Sequence, residues 1–451
     1  MKRIIDHFLL EWKSDGLRQP LLLRGARQVG KTYAVRQLGK TFEHFVEINF
    51  EATPSARSVF DAGLDPHRII RDLSSISQKS IIPGKTLLFL DEVQITPIAI
   101  TALRYFYELM PTLHVIAAGS LLDFAIEEVG VPVGRITFLY MYPLSFAEFL
   151  VAIGYSILLQ EIMQHSPIAP FSSTLHSLAL RCVGEYLAIG GMPYAIAQWL
   201  DKQDPLAFTA VHRRILGAYR QDFGTYARKL QVKYVDLIFK HIPLQMGRKF
   251  KYSLVEGEYR KRELAPALDL LETAGIAHKI HYSAGQGIPL GAQIDPQDYK
   301  TIFLDIALAQ TALGLKTAEW FLNPEDDLVN KGTVVESFVG QELMAYSEPY
   351  DKAELFYWHR ETGPANAEVD YLINLNRTVI PLEVKAGSGS TLRSMHSFLE
   401  RHPTSPYGVR FSTHNYSVHE KIHSYPLYAI AQLVTTGCLE MRKAIEQMAK
   451  N

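Results

Sequence analysis

The feature that most constrains this chain lies near its N-terminus, where Leu21-Leu22-Leu23-Arg24 runs into Gly25-Ala26-Arg27-Gln28-Val29-Gly30-Lys31-Thr32. An apolar segment the length of a buried strand feeds a loop of the form GxxxxGKT, and Tyr33-Ala34-Val35-Arg36-Gln37-Leu38 continues with helical character. The spacing has a mechanical reason. Its glycines let successive backbone N–H groups curl around an anion, and the following helix points its positive end at the same place. Residues Gly25, Ala26, Arg27, Gln28, Val29, Gly30, Lys31 and Thr32 are therefore expected to cradle the phosphates of ATP. Within that cradle Lys31 would reach the β- and γ-phosphates, and the Thr32 hydroxyl would hold Mg²⁺. A glycine-rich turn that merely precedes a helix would leave the flanking strand and helix patterns without a purpose.

A phosphate loop of this kind needs an acidic element, and Thr86-Leu87-Leu88-Phe89-Leu90 supplies one. It reads as a strand buried on both faces and ends in Asp91-Glu92. Asp91 would orient the water shell of Mg²⁺, and Glu92 would polarise the attacking water as general base. A further apolar run, His114-Val115-Ile116-Ala117-Ala118, ends in Gly119-Ser120. Ser120 at this edge either senses the γ-phosphate or is a simple turn serine. Arg135, ahead of the strand-like Ile136-Thr137-Phe138-Leu139-Tyr140, would act as an arginine finger, in cis or from a neighbouring subunit, or else form a surface ion pair. A finger acting in trans would require a homo-oligomer.

Gly25 to Thr32, Leu90-Asp91-Glu92-Val93-Gln94, Gly119-Ser120-Leu121-Leu122, Pro132-Val133-Gly134-Arg135 and Tyr142-Pro143-Leu144-Ser145-Phe146-Ala147-Glu148-Phe149 follow one another in order. Together they resemble a family of bacterial and archaeal AAA-superfamily ATPases that join the ATPase to a C-terminal region of uncharacterised function. The resemblance covers nearly the whole chain. It implies Walker A and Walker B roles for Lys31, Thr32, Asp91 and Glu92, and places Gln94 and Ser120 at further fixed polar positions. Tyr219-Arg220-Gln221-Asp222-Phe223 is similar to a helix of that family carrying an arginine–acid pattern, to which no chemistry is assigned.

At 451 residues the chain exceeds one typical core, so two to four domains are expected. The divisions read as an ATPase core over 1–150, a helical lid over 151–230, a winged helix over 231–325 and a C-terminal α/β domain over 326–451. The fold class is thus α/β, opening with a RecA/AAA-like parallel sheet. A net charge of −1 exerts no global pull toward nucleic acid, so any such binding must be local. No apolar run approaches the roughly 18 residues of a membrane span. Met1-Lys2-Arg3-Ile4-Ile5-Asp6 is not a secretory signal, and Cys182 and Cys438 match no metal or redox spacing. These features point to the cytoplasm.

The lid reading rests on helical periodicity over Leu175 to Leu187 and Leu206 to Tyr219, broken by Gly190-Gly191-Met192-Pro193. Farther on, Val235 to Ile242, Lys249 to Tyr252, Glu263 to Thr273 and Ala277 to Ile280 give the helix–strand–helix–strand order of a winged helix. Arg248, Lys249, Lys251, Arg260, Lys261 and Arg262 would meet DNA phosphates there, although Glu256, Glu258 and Glu263 interleave with them. A structural or protein-contact role is the alternative.

In the C-terminal region, Val334 to Leu343 reads as an amphipathic helix containing Glu336 and Glu342. The strand-like Ala367 to Ile373 carries Asp370, and after a turn at Asn374 to Arg377 the run Val379 to Lys385 carries Glu383 and Lys385 on one face. A hairpin would bring Asp370 alongside Glu383, two hard oxygen ligands for Mg²⁺, with Lys385 placed to activate a water. This pattern is similar to the PD-(D/E)xK nuclease fold of restriction endonucleases and archaeal Holliday-junction resolvases, although no proline precedes Asp370. The resemblance implies Asp370, Glu383 and Glu336 as metal-site acids and Lys385 as catalytic lysine. Glu342 is the alternative helix acid, and the Gly332-x-x-x-Glu336 spacing favours Glu336. The function expected is an ATPase whose cycle controls a DNA-directed, nuclease-like module. The alternative is an ATP-driven switch or protein-remodelling factor with an inactive C-terminal scaffold.

Overall fold

Five short strands, β1 (Leu21–Arg24), β2 (His44–Asn49), β3 (Thr86–Asp91), β4 (His114–Ala118) and β5 (Thr137–Tyr140), pair in the order β2-β3-β4-β1-β5. Every pairing is parallel. Alternate residues turn to opposite faces: Leu22, Leu88, Leu90 and Val115 join one apolar cluster, while Leu21, Leu23, Leu87 and Ile116 join another. Both faces are therefore buried under helices, which is why β3 and β4 carry apolar side chains at nearly every position. The computed structural model describes residues 1–450 apart from 121, 131–133, 227–228, 322–327, 329, 361–365 and 386–391. Leu121, Pro132 and Val133 of the family-like motifs, and the expected domain boundary at 325–326, lie outside the described residues.

Beyond the first sheet the chain is helical over Ser156–Gln164, Ser173–Ile189, Pro193–Lys202, Pro205–Tyr226 and Lys229–Leu244. The break between the second and third of these is enforced by packing. Gly190 has φ +75°, and a Cβ there would stand 2.4 Å from Asp305 Oδ1. Gly191 N–H donates to Asp305 Oδ2 at 2.6 Å, so only glycine lets the helix end close upon this buried carboxylate.

The second sheet has eight strands: β6 (Ala277–Ser283), β7 (Ile294–Phe303), β8 (Leu355–Arg360), β9 (Ala367–Leu375), β10 (Thr378–Lys385), β11 (Gly408–Ser412), β12 (Ser417–His419) and β13 (Ile422–Pro426). Their order is β12-β13-β11-β10-β9-β8-β6-β7. The β6–β7 hairpin expected as a wing is continuous with the C-terminal strands, because β6 pairs in parallel with β8. Of the short strand expected over Lys249 to Tyr252, a single bridge from Lys249 to Lys300 is present, and Tyr252–Leu254 is a 3-10 turn. The β9–β10 hairpin turns on Asn376 and Arg377, at φ +50° and +63°. Both central residues at positive φ make the tight turn whose twist suits a two-residue hairpin. From the helix Gly332–Ala345 onward, the order is helix, β8, β9, β10, helix Arg393–Arg401, β11, with β11 parallel to β10.

Candidate functional site

The glycine loop leaves β1 at its C-terminal end. Gly25 has φ +144°, and a Cβ there would stand 2.2 Å from the Met141 carbonyl oxygen, so the turn admits no side chain. Gly30, at φ +103°, opens the helix Lys31–Gly39 toward the loop. Lys31 is buried, and its ammonium donates to the carbonyls of Gly25 at 2.7 Å and Ala26 at 2.8 Å. Burial lowers its pKa to about 8, against the pull of Glu92 and Asp91. A phosphate entering the loop would compete for this ammonium with two neutral carbonyls.

Thr32 Oγ1 lies 3.3 Å from both carboxylate oxygens of Asp91. Asn49, opposite Asp91 at the end of β2, donates to Asp91 Oδ2 at 3.2 Å. Burial first, then the neighbouring Glu92 and Glu47, raises the pKa of Asp91 to about 6. Such a carboxylate gains from any cation placed beside it. The donor set of Thr32 and Asp91 thus suits Mg²⁺, a hard ion that binds oxygen. Glu92 follows in the left-handed region at φ +53°, which turns its carboxylate away from the strand, and Gln94 Nε2 donates to Glu92 Oε2 at 2.6 Å. Gly119 leaves room for that glutamine: a Cβ there would stand 2.0 Å from Gln94 Oε1. Ser120 lines the same cleft as Gly25 and Ala26.

Arg135 is placed elsewhere. Since β5 runs parallel to β1, with Thr137 opposite Leu21, Arg135 stands at the edge where β1 begins. The glycine loop stands where β1 ends, roughly 20 Å away along the strand direction. Arg135 pairs there with Glu108 at 3.2 Å. The expectation of a finger in cis is corrected by this geometry, which leaves the role in trans or the surface ion pair.

Two contacts tie the loop to distant segments. Arg27 donates to both carboxylate oxygens of Asp222, at 2.5 and 2.6 Å, and Tyr219 donates to the Arg27 carbonyl at 2.8 Å. These give the arginine–acid helix a physical place, with Asp222 rather than Arg220 facing the loop. On the other side Arg3 donates to the Val29 carbonyl and to Glu148 Oε1, both at 2.8 Å. Asn49 and Arg3 belong to no motif; a polar residue ending β2 and an arginine just before Ile4-Ile5 were the signals available. Tyr219 lies in the arginine–acid helix pattern, which by itself gave it no role.

A second constellation forms on the eight-stranded sheet. Asp370 on β9 accepts from the Val384 N–H at 2.7 Å, which sets it beside Glu383 on β10. Lys385 Nζ lies 2.6 Å from Glu383 Oε1, while Glu383 Oε2 is buried without a hydrogen-bond donor. Burial, reinforced by Glu336 and Glu383, pushes the Asp370 carboxyl well above the usual carboxylate range, and burial likewise raises Glu383. Glu336 faces this cluster, where its Oε1 lies 2.9 Å from Lys300 Nζ. Glu342 does not. It accepts from the Phe146 N–H at 3.0 Å, and burial raises its pKa to about 8. A cleft of about 380 Å³ opens on Asp370, Glu383 and Lys385 and is also lined by Lys249, His359 and Arg360. Of the basic residues expected to meet DNA, Lys249 is tied to Asp298 at 2.6 Å, and the backbone N–H of Arg260 donates to Glu263 Oε2 at 2.8 Å.

Residues 17–150 match a family described as an AAA domain. The chain carries an AAA-type ATPase domain. Residues 181–319 and 331–430 match two families each described as a domain of unknown function, DUF8612 and DUF4143. No curated protein matches the sequence. Among solved structures, the Walker-type ATPase of Pyrococcus abyssi shares 15% identity at a TM-score of 0.44, over 69% of this chain and 95% of that one. The Hsp104–ADP complex of Saccharomyces cerevisiae shares 12% at 0.28, over 77% and 44%. A Vibrio cholerae protein shares 13% at 0.19, over 89% and 98%. These overlaps are too low to carry an argument, so function is argued from the domain match and the geometry. Among the described residues no helix is long and apolar enough to cross a membrane.

Proposed function

We propose that ATP hydrolysis at the glycine loop governs a DNA-directed, metal-dependent phosphodiesterase site on the second sheet. On the ATPase side, Lys31 exchanges the Gly25 and Ala26 carbonyls for phosphate oxygens, and Thr32 and Asp91 hold Mg²⁺, which would neutralise developing phosphate charge. Glu92, oriented by Gln94, accepts the proton of the attacking water, and Ser120 faces the same cleft. Arg135, exposed on the opposite sheet edge, would serve a neighbouring subunit in a homo-oligomer.

The observation that carries the second half is the convergence of Asp370, Glu383 and Lys385 in one cleft on a helix–β–β–β–helix–β framework. The buried, unsatisfied Glu383 Oε2 beside Asp370 suits a divalent cation, which would activate water there and polarise a phosphodiester. Lys385 positions Glu383 and presents a cation to a phosphate. The helices of 151–230 act as a lid through the Asp222 grip on Arg27, and the helices leading into the β6–β7 hairpin form a winged-helix-like segment beside the cleft. The path between the sites is continuous. Arg3 joins Val29 to Glu148, which caps the helix Phe146–Ala152; Glu342 accepts from Phe146 and lies on the same helix as Glu336.

The test is the ATPase rate with and without duplex, branched and single-stranded DNA, paired with a nicking assay in Mg²⁺ or Mn²⁺. Nicking lost in Asp370→Asn and Lys385→Ala supports the reading. ATP turnover indifferent to every DNA, with no cleavage, favours an ATP-driven switch with an inactive scaffold. The observation behind that second reading is that an ammonium already sits among the acids.

A further inference from the structure

Lys300, on β7, is fully buried, with no side-chain exposure at all. Its Nζ lies 2.9 Å from Glu336 Oε1, 2.5 Å from Glu368 Oε1 and 4.0 Å from Asp370 Oδ1, and stands over the Tyr357 ring at 5.2 Å. Its ammonium is thus ringed by three carboxylates within ion-pair distance, two of them in close contact. The two sides of the cluster differ. On the Glu336 side the acids are met by a fixed ammonium, whereas on the far side Glu383 Oε2 is buried with no donor.

Resting on the metal-site reading of Asp370 and Glu383 above, we infer that Lys300 is the resident cation of this acidic cluster. Its ammonium fills the position between Glu336 and Asp370 that a second divalent ion would take, so the cluster accepts metal only at Asp370 and Glu383. Glu336 is committed to Lys300 and is no metal ligand. The lysine side chain is fully enclosed, and moving it aside would break its close ion pairs with Glu336 and Glu368. An ion approaching Glu336 would meet both the repulsion of the ammonium and the loss of its ion pairs. The acids lie within the segment 331–430 and Lys300 within 181–319, so the cation reaches the cluster from a neighbouring stretch of chain.

The test is Mn²⁺ titration of the nucleotide-free full-length protein, counting the ion that is lost in Asp370→Asn. In the wild-type background Glu336→Gln is expected to leave that affinity unchanged, within about threefold. Lys300→Met is expected to tighten Mn²⁺ binding by about tenfold or more, the scale on which a nearby like charge shifts a site. Adding Glu336→Gln to Lys300→Met should abolish the gain. Should Lys300→Met prove unfolded in metal-free buffer, Mn²⁺ should restore a wild-type Tm where NaCl of equal ionic strength does not. The inference is overturned if Lys300→Met binds Mn²⁺ within about threefold of wild type, if Glu336→Gln weakens wild-type binding as Asp370→Asn does, or if Mn²⁺ fails to restore the unfolded variant. Wild-type binding untouched by Asp370→Asn would instead sink the metal-site reading itself, and this inference with it.

Discussion

Replacing Gly119 by alanine tests whether Glu92 owes its orientation to Gln94. The new Cβ would stand 2.0 Å from Gln94 Oε1 and 3.1 Å from its Cδ, so the carboxamide must move. It is the far end of a flexible side chain, so the backbone need not shift and the fold should survive. What is lost is the 2.6 Å hydrogen bond from Gln94 Nε2 to Glu92 Oε2. A hydrogen bond to a charged group is worth about 1.5–3 kcal/mol, and each ~1.4 kcal/mol is tenfold, so kcat for ATP should fall by about 10- to 150-fold. The KM for ATP should barely change, because Lys31 and the loop are untouched. Gln94→Ala should give the same defect, and the double variant should be no worse than either single one, since both remove one contact. Steady-state ATPase assays decide it. A kcat for Gly119→Ala within twofold of wild type, or a defect confined to KM, refutes the reasoning.

The remaining predictions concern other links of the same account. Lys31→Ala should abolish ATP binding, whereas Glu92→Gln should bind ATP and trap it unhydrolysed; wild-type turnover in both would remove the site assignment. Asp222→Asn weakens the two-oxygen grip on Arg27 and should cost about 1 kcal/mol of stability, since that pair is partly exposed, while raising the KM for ATP; an unaltered KM contradicts the coupling. Arg135→Ala should leave the monomer's Tm within about 2 °C of wild type yet lower the specific ATPase activity at concentrations where the chain self-associates. Finally, Glu342 has its folded pKa raised from 4.5 to about 8, so the folded state holds the proton more tightly than the unfolded chain. Its stabilising effect is present at low pH and is lost as pH rises from about 4.5 to 8. Glu342→Gln should therefore flatten the fall in Tm across that window, and parallel Tm–pH curves for the two proteins would contradict it.

The parts of this molecule legible in the sequence are those made by neighbouring residues. A glycine loop between strand and helix, or an acidic pair ending an apolar strand, declares its geometry within about ten residues, and Gly25 to Thr32 and Asp91-Glu92 stand where such spacing puts them. The Asp370–Glu383 juxtaposition was also legible, because a tight turn and period-two alternation define a hairpin locally. Sheet order was not. That β6 lies against β8, which merges the expected wing with the C-terminal strands, depends on a pairing across some seventy residues that no local pattern encodes. Arg135 was ambiguous for the same reason: its distance from the loop follows from the direction of β5 relative to β1. Lys300 was hidden differently. Asp298-Tyr299-Lys300-Thr301-Ile302-Phe303 reads as an edge strand with a solvated lysine, whereas β7 turns that lysine inward onto acids from two other elements, the helix Gly332–Ala345 and β9.

The central claim, that the glycine loop governs the Asp370 cleft, is tested most directly by plasmid nicking in Mg²⁺ with ATP, comparing wild type, Lys31→Ala and Asp370→Asn at equal protein concentration. The account predicts that wild type nicks, that Asp370→Asn does not although it still hydrolyses ATP, and that Lys31→Ala fails at both. Nicking by Lys31→Ala at the wild-type rate, or by Asp370→Asn at all, would contradict it.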